Sequence, residues 1–156
     1  MPASPPRPTP PASAGARPGG APADLAAVRA VITGMYGAYT TGERARVDSF
    51  LDPDATIWDS ATADLLCGKA ELDRVRDGRP TDGTGPAEAG LSVHDDVIDV
   101  FADLAVARYW LRVDFRDGPP ESVRNTAVLR RDGSERGWLI VHLHEDVQEA
   151  AGTGER

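Results

Sequence analysis

Leu25, Val28, Ile32, Met35 and Tyr39 recur at steps of three or four, which predicts a single apolar stripe along a helix. Asp24 stands where an N-cap belongs, and Gly42 offers the stop. A second, shorter helix is expected to bury Val47, Phe50 and Leu51 and to end at Asp52-Pro53-Asp54. Residues 55–60 then read as a strand and 68–76 as a third helix with Leu72 and Val75 inward. The stretch 78–90 holds glycines, two prolines and few large side chains, so it reads as a long loop of the kind that serves as a lid.

From Leu91 the period falls to two. Residues 91–101, 104–115, 121–131 and 137–147 read as four long strands. Ala102-Asp103, Asp117-Gly118-Pro119 and Asp132-Gly133-Ser134 join them with hairpin chemistry, so neighbours should run antiparallel. Helices first and strands afterwards predict an α+β domain, three N-terminal helices on a curved, mostly antiparallel sheet. In 104–115 the apolar face is Ala105, Ala107, Tyr109, Leu111, Val113 and Phe115, and it should meet the helices. The other face sets Trp110 between Arg108 and Arg112, a pairing enriched at interfaces, so a homodimer through the outer sheet face is expected.

Composition adds boundaries. Residues 1–21 are Pro, Ala, Gly, Ser and Arg, too poor in large apolar groups to offset their ordering entropy, and read as a disordered tail. The domain is expected over 22–149, with a frayed end at 150–156. A net charge of -8 and a pI near 4.8 argue against binding nucleic acid. Arg74, Arg76 and Arg79 alternate with Asp73 and Asp77 and read as a solvated helix face. The one cysteine, Cys67, excludes an intramolecular disulfide and is expected to be a buried spectator. No apolar run approaches the roughly 20 residues of a membrane span, and the N-terminus lacks a secretory apolar core, so a cytoplasmic location away from membranes is expected.

The run 41–59, TGERARVDSFLDPDATIWD, resembles the opening of the SnoaL-like and nuclear-transport-factor-two-like (ketosteroid-isomerase-like) superfamily. Gly68-Lys69-Ala70-Glu71-Leu72 resembles its start of the third helix, and Trp138-Leu139-Ile140-Val141-His142-Leu143-His144 its last strand. The resemblance spans residues 24–147 and implies a cystatin-like cone around a pocket for a small molecule. This fold hosts isomerases, cyclases, dehydratases, hydrolases and non-catalytic assembly domains, so the fold alone names no reaction.

Counted from Gly42-Glu43, Asp59 falls where the steroid isomerases place their general base; a strand-end turn residue is the plainer alternative. His142 and His144 lie two apart on a strand, sharing a face with Trp138 and Ile140, and are candidate acid/base partners of Asp59. Two imidazoles could also begin a metal site with Asp59 or Glu145, but the spacing supplies no third ligand, and no metal is expected. Arg124 and Thr126 share a face and could meet an oxyanion. Tyr36, Tyr39, Tyr109, Arg124, Thr126 and Trp138 complete the candidate ligand-binding set. The resemblance places Met35 at the isomerases' tyrosine position, with Tyr36 about 100° around the helix. Their carboxylic acid position falls near Ala127, with no carboxylic acid beside it, so steroid isomerisation itself is not expected. No serine elbow, phosphate loop or dinucleotide fingerprint is present, and no organic cofactor is called for.

Overall fold

The structure is a computed structural model and describes residues 17–79 and 88–148. Three helices and six strands follow in the order α1 (Pro22–Thr40), α2 (Arg44–Asp48), β1 (Leu51–Trp58), β2 (Leu66–Cys67), α3 (Gly68–Asp77), β3 (Glu88–Phe101), β4 (Leu104–Phe115), β5 (Glu121–Arg131) and β6 (Trp138–Gln148). One sheet holds all six strands in the order β2-β1-β6-β5-β4-β3. Its pairings are antiparallel except β1 with β6, which run parallel.

α1 starts earlier than its sequence suggests. Pro22 sits in the first turn, where its missing N–H costs nothing and its fixed φ suits a helix. Asp24 is therefore inside the helix rather than the N-cap, and its carboxylate takes a forked bond from Arg131, both N···O distances 2.9 Å. The helix ends in a Schellman motif: Glu43 N–H bonds Ala38 O at 3.0 Å and Gly42 N–H bonds Tyr39 O at 3.1 Å. Gly42 adopts φ +73°, a conformation that needs glycine. Val28, Val31, Ile32, Met35, Tyr36 and Ala38 are buried against the inner face of the sheet, whereas Tyr39 is exposed at its rim.

The second helix is shorter than expected and closes at Asp48. Phe50 leads into β1 and Leu51 opens it instead. Phe50 O accepts a bond from Ile140 N–H at 3.0 Å, so parallel pairing with β6 claims the backbone before a further helical turn can form. Pro53, which has no N–H to give, lies where the register between β1 and β6 shifts. The two-residue edge strand β2 is not visible in the hydrophobic pattern. It turns Leu66 inward and leaves Cys67 exposed, so the thiol is not the buried spectator expected.

On β4 the expected inner face is the observed one. Ala105, Ala107, Tyr109, Leu111 and Val113 are all buried. Of the N-terminal tail, residues 1–16 lie outside those described, as do the heart of the expected lid, 80–87, and the expected frayed end, 150–156. The tail's expected last residues are docked. Gly19 N–H donates to Asp99 Oδ1 at 2.9 Å, Gly19 O accepts from Val100 N–H at 2.7 Å, and Arg17 pairs with Asp99 at 3.2 Å. Among the described residues no helix is long and apolar enough to cross a membrane.

Candidate functional site

Between α1 and the inner face of the sheet lies a cavity of about 440 Å³. Its apolar wall comes from Met35, Ile57, Leu72, Leu111, Val123 and Leu143, and its polar groups are Tyr36, Asp59, Arg76, Arg79 and Glu145. Glu88 and Glu121 stand at the ends of β3 and β5.

Asp59 follows β1 directly and lines this cavity. Its Oδ1 accepts Ala61 N–H at 2.7 Å and its Oδ2 lies 3.2 Å from Arg79 Nη2. Trp58, one residue earlier, points to the other side and is exposed, as strand alternation requires. Of the three arginines expected to form a solvated face, Arg74 is exposed, but the other two do something else. Arg76 is largely buried and pairs with Asp48 at 2.6 Å, while Arg79 holds Asp59.

His142 and His144 do not share the cavity with Asp59. Between Val128↔His142 and Leu129↔Ile140 the pairing of β5 with β6 skips Val141, a bulge that inserts one residue. Trp138 and Ile140 before the bulge are buried, and Leu143 and Glu145 after it line the cavity. Both histidines are thereby turned to the outer face. There His142 Nδ1 lies 2.8 Å from Thr56 Oγ1, and His144 packs on Trp58 with ring centroids 5.6 Å apart. Among the described residues no three histidine, cysteine or acidic side chains come together as a metal site.

Arg124 and Thr126 are also on the outer face. Register places Arg124 opposite Trp110 and Asp146, and its guanidinium pairs with Asp146 at 3.2 Å. The inward set of β5 is Val123, Asn125, Ala127 and Leu129, all buried. Trp138 lies in the core away from the cavity, with the Arg131 guanidinium 4.5 Å above its ring.

What occupies the position expected of the histidines is Glu145. It has no ion pair or hydrogen bond to its side chain among the described residues. Burial is the main reason its proton affinity rises; the Asp59 charge adds to this, Arg79 opposes it, and the result is a pKa pushed up to about 7. The register carries Tyr109, Asn125 and Glu145 side by side across β4, β5 and β6. Asn125 Nδ2 donates to Val123 O at 2.9 Å, which leaves its buried Oδ1 without a partner among the described residues.

Tyr36 corrects the expectation of a missing hydroxyl. It lines the cavity beside Met35, and its hydroxyl meets that of Tyr109 at 2.8 Å. Burial drives the Tyr36 phenol well above its usual range, and the neighbouring Tyr109 and Glu145 add to this. Burial raises Tyr109 as well, although its bond with Tyr36 pulls the other way. Both remain protonated at neutral pH and can donate a hydrogen bond. The site thus unites an ion-paired carboxylate, a carboxyl group that titrates near neutrality and a buried phenol.

No protein-family model matches the chain, and no curated protein does. Solved structures do. An NTF2-like protein of unknown function from Pseudomonas putida superimposes with a TM-score of 0.70 at 20% identity, covering 86% of this chain and 94% of that one. The CaMKII hub of S. rosetta gives 0.67 at 24% identity, covering 78% and 95%. A provisional ketosteroid isomerase from Shewanella frigidimarina gives 0.61 at 16% identity, covering 77% and 94%. The chain has the NTF2-like, ketosteroid-isomerase-like fold, of the cystatin-like type.

Proposed function

We propose that the chain binds a small, mostly apolar carbonyl compound in this cavity and moves a proton on it. Glu145 is the acid/base group, Asp59 the anionic neighbour that helps hold its proton affinity high, and Tyr36 the hydroxyl that faces the developing oxyanion. The observation that carries this reading is Glu145 itself: a carboxyl group with no partner among the described residues, in an apolar-walled cavity, with a pKa near 7. A carboxyl group whose surroundings bring its proton affinity near neutrality can both take up and give back a proton in one site. Isomerisation, cyclisation, dehydration and hydrolytic opening all fit this set, and side chains suffice for each proton transfer.

Carboxyl-carbon NMR of the labelled protein tests it. Glu145 is expected to titrate near pH 7. In Asp59→Asn its midpoint should fall, because a like charge has been removed. Glu145→Gln should abolish exchange of α-protons for deuterium across a panel of apolar ketones. A Glu145 midpoint at its ordinary value near 4.5 removes it from the mechanism.

A second reading is a dimeric ligand-binding or assembly domain without turnover. The likeness to a CaMKII hub supports it. So does the outer face, where Arg108, Trp110 and Arg112 alternate with buried inner residues.

A further inference from the structure

The rim of the cavity carries acid that proton transfer at Glu145 does not use. Glu88 begins β3 and Glu121 begins β5. Phe115 of β4 opposes Glu88 and Val113 opposes Glu121, so the two carboxylates flank the end of β4 from both sides. Tyr39 reaches the same rim, its hydroxyl 3.5 Å from Glu88 Oε1, and both Tyr39 and Phe115 line the cavity. Neither glutamate has an ion pair among the described residues.

The cavity's own cations are already engaged. Arg76 is taken by Asp48 at 2.6 Å and Arg79 by Asp59 at 3.2 Å. An anionic ligand would therefore meet Glu88, Glu121 and Glu145 with no free guanidinium among the described residues lining the cavity to receive it. Burial raises the proton affinity of Glu88, and Glu121 adds to it against the pull of Tyr39 and Arg79. Deeper in, Glu145 lines the same cavity and likewise has no cationic partner among the described residues. Carboxylates beside aromatic rings are the pairing that holds an ammonium group, through charge-assisted hydrogen bonds and the ring faces.

We propose that Glu88, Glu121, Tyr39 and Phe115 bind the ammonium end of an organic amine whose apolar body enters the cavity. This rests on the cavity being a small-molecule site. A guest with its cation at the rim leaves its far end to reach Tyr36 and Glu145.

The test is calorimetric titration of the full chain with 4-phenylbutylamine, 4-phenylbutanol and 4-phenylbutanoate, which share one apolar body. The amine should bind at least about tenfold more tightly than the alcohol, and the carboxylate most weakly. The double variant Glu88→Gln, Glu121→Gln should bind amine and alcohol equally, with the alcohol's affinity unchanged. Both side chains reach solvent, so glutamine is accommodated in place. Asp95→Asn with Glu135→Gln removes two charges outside the cavity and should keep the preference for amine. Equal binding of amine and alcohol by the wild type overturns the ammonium site and leaves the small-molecule reading standing. Equal loss of preference in the two double variants also overturns it, since the overall negative charge would then be the cause. Failure of all three probes to bind, with Glu145 titrating near 4.5, overturns both.

Discussion

Glu145 holds its proton to about pH 7 in the folded chain, against an ordinary value of 4.5. That difference links its chemistry to stability. Below pH 4.5 the group is protonated in both states and costs nothing. As pH rises, the unfolded chain releases this proton first, so stability is lost progressively through the folded value near 7. The full loss is on the order of 3 kcal/mol. Glu145→Gln removes the effect. The variant should match the wild type below pH 4.5 and exceed it by a few kcal/mol at pH 8, measured by urea unfolding across the range. A difference that does not change with pH would mean that Glu145 is ionised at no cost.

At the level of elements, two contacts set the cavity's walls. The bulge at Val141 turns Leu143 and Glu145 inward, and the crossing of α1 over Phe50 fixes the helix above them. That crossing depends on Gly34. A Cβ there would lie 2.7 Å from Phe50 Cζ, and the ring cannot retreat because it is buried with the Arg136 guanidinium 3.5 Å from its centroid. Gly34→Ala would gain about 1 kcal/mol of helix propensity. Overpacking costs about 1–3 kcal/mol and should outweigh it. The expected result is a lower urea midpoint at unchanged slope. A raised midpoint would show that α1 shifts freely, and with it the cavity.

For the whole molecule, the outer sheet face separates assembly from chemistry. Trp110 is half-buried there, and register sets it between His94 of β3 and Arg124 of β5. If copies of the chain associate through this face, Trp110→Glu should shift the sedimentation coefficient toward a monomer while Glu145 keeps its titration. An unshifted sedimentation profile would rule the surface out. The same face ends at Asp99, which is buried at 2% exposure under Arg17, Gly19 and Arg108. The segment before α1 thus belongs to the folded unit from residue 17 onward, which a composition argument over the first 21 residues does not reveal.

Periodicity alone determined the α+β class, the helix stripe, the ends of β4 and β5 and the inward face of β4, because each depends on local spacing. Asp59, which lines the cavity, was legible only through the resemblance to the steroid isomerases, counted from Gly42-Glu43. Two things needed the tertiary structure. One extra residue at Val141 reverses every later side chain of β6, so alternation counted from Trp138 sends the histidines inward and Glu145 out, the opposite of the fold. A second apolar phase, Leu143 and Val147, was the only local trace of that bulge. The proton affinity of Glu145 was likewise beyond the sequence, since burial by α1 and the nearby Asp59 set it, and both arrive from elements distant in the chain.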